Sequence, residues 1–286
     1  MTDKTKVGPE NTAARVALWR ALHVQIDAPP HVFKDEVGLQ LVAPPDGWKS
    51  RGDMHPIGTS QFRASIVARA RVIEELVEER AGQGVSQYVI LGAGLDTFAQ
   101  RRPELAAKLQ VFEIDQPGPQ AWKKHRLQEL GFGVPTWLHL VPVDFEAGAD
   151  WLQLLAAAGF DAAKPSVIAS TGVSMYLTKE TVAATLRQVA SLAAGTTLAM
   201  SFMLPFEMAD PQVRPGLEQA AKGAAANGTP FISFFTPAEM LDLARASGFK
   251  HVEHISAESL TQRYFAGRPD GLKLPNNTEE ILVART

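Results

Sequence analysis

Residues 87–115, QYVILGAGLDTFAQRRPELAAKLQVFEID, constrain the fold of this 286-residue chain more than any other stretch. A short apolar run ends in a glycine turn, a helical pattern follows, and a second apolar run ends on two acids. This is the pattern of an opening βαβ unit in a nucleotide-type binding fold. Glycines there let backbone approach a ligand, and an acid at the second strand end suits ribose hydroxyls. A dinucleotide fingerprint requires glycine at the first, third and sixth positions, but after Gly92 and Gly94 the sixth position is Thr97. Asp96 adds a carboxylate where a pyrophosphate needs bare N–H groups and a helix N-terminus. The loop therefore favours a ligand with an ammonium and no phosphate over NAD, and S-adenosylmethionine is such a ligand.

From about residue 86 onward, β-rich runs alternate with helical patterns, which predicts an α/β, doubly wound, seven-stranded Rossmann-like sheet. Strands are expected at 87–91, 109–114, 138–143, 166–170, 196–203, 251–255 and 280–284, the last two pairing as an antiparallel edge. Val182, Leu186 and Val189 recur at helical spacing and mark a buried face. Thr236-Pro237-Ala238-Glu239 sets out a capping box with an N1 proline, and Gly248 stops that helix. The chain reads as one domain. Residues 1–83 form an N-terminal helical cap, residues 84–203 and 236–286 the core, and residues 204–235 an insertion after strand 5. Phenylalanines cluster at the ends of the insertion, which is either a lid over a substrate pocket or a packed helical hairpin. In the cap, Pro29-Pro30 and Pro44-Pro45 interrupt any long helix, and a longer helix follows from about Ser60 to Glu79. On it Arg69 flanks the apolar face, while Arg71 lies about 200° around the axis and looks outward.

The residues that carry chemistry follow from this layout. Gly92 and Gly94, with Ala93 between them, bring backbone to a ligand. Asp96 joins the loop or caps the next helix. Glu113 and Asp115 alternate around Ile114, so both point to one face, and Asp115, followed by Gln116, sits nearest the strand end. Asp144 can accept from an adenine amino group while Phe145 packs on the ring. Ser170, Thr171 and the small residues after them leave room for a reacting centre. Tyr176 either orients an oxygen nucleophile or is a half-buried aromatic whose hydroxyl finds a partner.

A net charge of −3 offers no basic field for nucleic acid, so a small-molecule acceptor is expected. The absence of cysteine removes disulfides, thiolate metal sites and a cysteine nucleophile. Seven scattered histidines show no metal-ligand spacing, so no metal is expected. No GxSxG elbow marks an α/β-hydrolase. No signal-peptide core or membrane span is evident, and a soluble, cytoplasmic protein is expected.

Gly92-Ala93-Gly94-Leu95-Asp96-Thr97, followed by Phe112-Glu113-Ile114-Asp115-Gln116-Pro117 and Lys123 or Lys124, resembles the leucine carboxyl methyltransferase family. The resemblance is to its bacterial branch of S-adenosylmethionine-dependent O-methyltransferases. Ala68-Arg69, Val173-Ser174-Met175-Tyr176-Leu177 and the Thr236-Pro237 helix extend the match from about Thr12 to Arg263. The resemblance implies methyl transfer to a carboxylate or hydroxyl. It implies Arg69 on the cofactor's carboxylate, Gly92 and Gly94 along its amino-acid portion, Asp115 on the ribose and Asp144 by the adenine. The family usually has an acid where Thr171 stands, and its bacterial branch an arginine where Phe98 stands. A non-catalytic member binding cofactor or a partner, and a NAD-dependent oxidoreductase, are the competing readings. The sequence does not set the oligomeric state.

Overall fold

The computed structural model describes residues 11–144, 150–226 and 228–286. Seven strands form one sheet in the order β3-β2-β1-β4-β5-β7-β6: β1 Gln87–Leu91, β2 Gln110–Asp115, β3 Leu138–Pro142, β4 Val167–Ser170, β5 Thr197–Met203, β6 His251–Ile255 and β7 Glu279–Arg285. Strands β1 to β5 pair in parallel, and β7 runs antiparallel to both β5 and β6. The expected antiparallel pair is present. However, β7 lies inside the sheet between β5 and β6, so of this pair only β6 is an edge strand. The residues explain this: β7 is buried along its middle, whereas β6 alternates between exposed and half-buried positions.

The helices are α1 Asn11–Ile26, α2 Val37–Val42, α3 Ser60–Gly82, α4 Phe98–Arg101, α5 Pro103–Ala106, α6 Pro117–Glu129, α7 Trp151–Ala157, α8 Lys179–Ala190, α9 Arg214–Ala226, α10 Pro237–Ala246 and α11 Ala257–Phe265. The period-2 alternation of the strands sends Tyr88, Ile90, Val111 and Ala169 to one face, where they pack with α3 and α11. Val89, Leu91, Phe112, Ile114 and Ile168 go to the other face, against α7, α8 and α10. Val182, Leu186 and Val189 of α8 are fully buried, as their spacing predicts. Thr236 accepts from the Glu239 N–H and Glu239 caps in return, closing the capping box of α10, and Gly248 follows at φ +111°.

Among its described residues, the insertion contains one helix and a short 3-10 turn, Phe206–Met208, not a helical hairpin. Leu217 is the buried residue of α9, which also carries Gly216 in its first turn and Gly223 in its interior. One buried leucine contributes about 2 kcal/mol, and an interior glycine costs about 1 kcal/mol relative to alanine. The segment is therefore among the most weakly held helices in the molecule.

Among the described residues, no helix is long and apolar enough to cross a membrane.

Candidate functional site at the carboxyl ends of the strands

The sheet order reverses between β1 and β4, and the crevice of an open α/β sheet forms outside the strand ends at such a point. Two loops flank it, one after β1 and one after β4. Gly92, Gly94 and Gly172 in these loops all have positive φ, at +68°, +51° and +70°. The Gly92 and Ala93 N–H groups both donate to the Ile114 carbonyl, so the loop folds back over the end of β2. A Cβ on Gly92 would lie 2.5 Å from Val173 Cγ2, across the crevice. Gly92→Ala is expected to destabilise the protein by about 1–3 kcal/mol, combining backbone strain with overlap. Adding Val173→Ala should recover the overlap part only, as read from urea unfolding of the single and double variants.

Asp115 ends β2 and organises the loop. Its Oδ1 accepts from the Gln116 N–H at 2.6 Å, and its Oδ2 accepts from the Gly94 N–H. Burial pushes this carboxyl up, against the pull of those two N–H groups and of Lys123. Glu113 shares its face, as the alternation predicts, but is 0% exposed. It is paired with the buried Lys123 at 2.5 Å, and Lys123 also donates to the Asp96 carbonyl at 2.7 Å. Glu113, expected beside the ribose, has its carboxylate facing an ammonium inside the fold, beneath the loop. Asp96 Oδ1 accepts from the Phe98 N–H at 2.8 Å in a turn one residue ahead of Thr97, and Thr97, not Asp96, is the N-cap of α4. The Asp96 carboxylate therefore lies at the start of α4, a helix of 4 residues.

Arg69 is 13% exposed and Arg71 42%, in line with the helical geometry. Arg69 lines a cavity of about 60 Å³ together with Asp96, Thr171, Arg20 and Arg101. A volume that small holds only a few waters. Gly94, Asp115 and the half-buried Asp144 lie outside its lining. Ser170 is buried at the end of β4 and Thr171 is half-buried beyond it. Tyr176 is half-buried, edge-on to Phe231 with ring centroids 5.4 Å apart. Around it Met175, Met203, Phe62, Phe206 and Phe234 form an apolar cluster under the insertion. Phe145 lies outside the described residues.

Sequence reasoning missed the network that fastens the cap to the loop. Arg20 of α1 donates to Asp35 Oδ2 at 2.7 Å and to the Leu95 carbonyl at 2.6 Å. Thr97 donates to the same Asp35 oxygen at 2.8 Å, and Arg101 donates to Thr97 and Glu74. Thr97, notable in the sequence as an absent glycine, is thus a buried link between cap and loop.

Burial alone would raise the Asp35 carboxyl, but Arg20 and Arg101, with the Arg20 and Gly38 hydrogen bonds, hold it below the usual carboxylate value. Asp27 is lowered in the same way: burial raises it, and His23 and Arg63 outweigh that. A carboxyl whose folded pKa lies below its unfolded value near 4 contributes stability that is present above that value. The contribution is lost as pH falls through the folded pKa. Glu113 and Asp115 shift in the opposite direction, so the cap should weaken in acid before the loop does. Hydrogen exchange of the α1 amides is expected to accelerate below about pH 4, once corrected for intrinsic rates, and Asp35→Asn should flatten that dependence.

A family model for leucine carboxyl methyltransferase matches residues 13–190. The "Putative S-adenosyl-L-methionine-dependent methyltransferase YktD" of Bacillus subtilis (strain 168) is 35% identical over 213 residues, which cover 74% of this chain and 69% of that protein. A similarly named protein of Mycobacterium sp. (strain KMS) is 38% identical over 168 residues, covering 58% of this chain and 52% of the relative. Among solved structures, a DUF574 family protein from Streptomyces avermitilis MA-4680 superposes with a TM-score of 0.58 at 15% identity, covering 97% of this chain and 98% of that one. A likeness at that identity speaks to the fold alone.

Proposed function

The chain belongs to the leucine carboxyl methyltransferase family of S-adenosylmethionine-dependent methyltransferases, and from that premise we propose that it methylates a carboxylate or hydroxyl oxygen of a small molecule. The observation that carries the cofactor assignment is the loop itself. Asp115 gathers the Gly94 and Gln116 N–H groups, and Asp96 already fills the N-terminus of α4. A pyrophosphate would meet a carboxylate there, whereas an ammonium would meet a complementary charge.

The residues fit the cofactor in kind. Arg69 supplies a guanidinium for a carboxylate, the glycine loop supplies close backbone, Asp115 supplies acceptors for a pair of hydroxyls, and Asp144 stands at the next strand end. When bound, the cofactor supplies an electrophilic methyl on a sulfonium. The work left to the protein is alignment of the acceptor oxygen, so proximity and orientation account for most of the catalysis. A carboxylate acceptor is already a nucleophile at neutral pH, and a hydroxyl needs a base, for which Tyr176 is the candidate.

The apolar cluster of Met175, Tyr176, Phe206, Phe231 and Phe234 supports an acceptor site under the 204–235 insertion, with α9 as the weakly held lid. Methyl transfer from labelled cofactor to a panel of small carboxylic acids and phenols tests this. Product on either class, reduced by Tyr176→Phe only for phenols, is the expected outcome. Transfer to neither class, from a protein that binds the cofactor, would favour the non-catalytic reading.

A further inference from the structure

Arg69 and Glu279 are 210 residues apart in sequence, yet they form a pair at the rim of the crevice with 13% and 12% side-chain exposure. We propose that Glu279 is a positioning residue for Arg69. It holds one end of the guanidinium so that the other edge is presented to the carboxylate of the cofactor's amino-acid portion. The inference rests on the cofactor assignment above and goes further by giving β7 a part in the site.

Both Glu279 oxygens accept from the same nitrogen, Arg69 Nη1, at 2.6 and 2.7 Å. A carboxylate competing for the ligand's place would take the two-pronged edge of the guanidinium, where two parallel bonds are available. Glu279 occupies Nη1 and leaves the other two-donor edge, Nε with Nη2, to a second carboxylate. Nη2 lies on the side of the β4 loop, 2.9 Å from where a Cβ on Gly172 would stand. The absence of a side chain at Gly172, whose φ is +70°, is therefore what lets the guanidinium lie against that loop.

Glu279 is itself fixed. Ser201, fully buried on β5, donates from Oγ to Glu279 Oε1 at 2.7 Å and accepts from the Gly172 N–H at 2.8 Å. A continuous set of hydrogen bonds thus runs from the loop after β4, through Ser201 and Glu279, to Arg69. The strand register places these residues together, since Glu279 pairs with Met203 across β5 and β7. A half-buried arginine without a counter-charge would swing towards solvent. With Glu279 it stays oriented and held against the cavity wall.

The test compares two ligands. S-Adenosylhomocysteine carries the amino-acid portion, and 5′-methylthioadenosine carries the same adenosine and sulfur without it. In calorimetric titrations of the full chain, Glu279→Gln should weaken S-adenosylhomocysteine by at least about tenfold, the value of one charge-assisted hydrogen bond. Affinity for 5′-methylthioadenosine should remain within about twofold, since it makes no contact with Arg69. A purely structural role would lower both affinities together, and that result would overturn the proposal. Unchanged or tighter binding of S-adenosylhomocysteine would also overturn it, the latter by showing Glu279 to be a competitor. If Glu279→Gln does not fold, Ser201→Ala removes the hydroxyl that orients Glu279 and should show the same selective loss at smaller size, with an equal loss for both ligands counting against the proposal. Failure of the unmodified protein to bind either compound would contradict the cofactor assignment itself, an outcome distinct from any of these.

Discussion

Asp115→Ala is expected to lower affinity for S-adenosylhomocysteine by about 100-fold or more while the protein remains folded. The carboxylate has about four lone-pair sites, of which the Gly94 and Gln116 N–H groups take two. The remaining two suit a pair of neighbouring hydroxyls. Each hydrogen bond to a charged acceptor contributes about 1.5–3 kcal/mol, so losing two accounts for about two decades or more. The substitution also frees the Gly94 N–H, loosening the loop against β2. Titration calorimetry with a parallel melting curve measures both effects. A loss below about threefold for Asp115→Ala would place the ribose elsewhere.

Asp35→Ala should be the most destabilising single change in the cap, at about 3–5 kcal/mol in urea unfolding. Asp35 is fully buried and accepts from Arg20, Thr97 and the Gly38 N–H, with Arg101 also close. Its removal leaves the Arg20 guanidinium buried without a counter-charge and strands the Thr97 hydroxyl. The cost of an uncompensated buried charge exceeds that of an equivalent loss of apolar contact, so the double variant Arg20→Met/Asp35→Leu should recover much of the stability. A penalty under about 1 kcal/mol for Asp35→Ala would show that the cap is held by its apolar contacts instead, such as the cluster of Leu18, Leu22, Trp48 and Met54.

The parts legible in the sequence are those whose signals are local. The strands declare themselves through apolar runs bounded by turn residues, and all seven lie within a residue or so of their expected bounds. The helix of Thr236 and the inward turn of Arg69 follow from capping chemistry and helical period. The place of β7 was not legible, because strand order depends on burial across the sheet and not on a strand's own pattern. Asp35 was hidden for a similar reason. It sits between proline-rich segments with no periodicity, and its partners Arg20, Thr97 and Arg101 come from distant elements. Glu279 carries no motif, and only the pairing of β5 with β7 brings it to Arg69. Glu113 shows the limit of alternation as a guide. The spacing gave the correct face, but only the buried ammonium of Lys123 reveals that this face is interior at that depth.

The central claim is that the glycine loop between β1 and α4 takes S-adenosylmethionine and not a dinucleotide. Calorimetric titration of the intact protein with S-adenosylhomocysteine and, separately, with NAD tests it most directly. The structure predicts saturable one-to-one binding of S-adenosylhomocysteine at micromolar concentration or tighter, and no heat from NAD in the same range. Binding of NAD, or of neither compound, would contradict it.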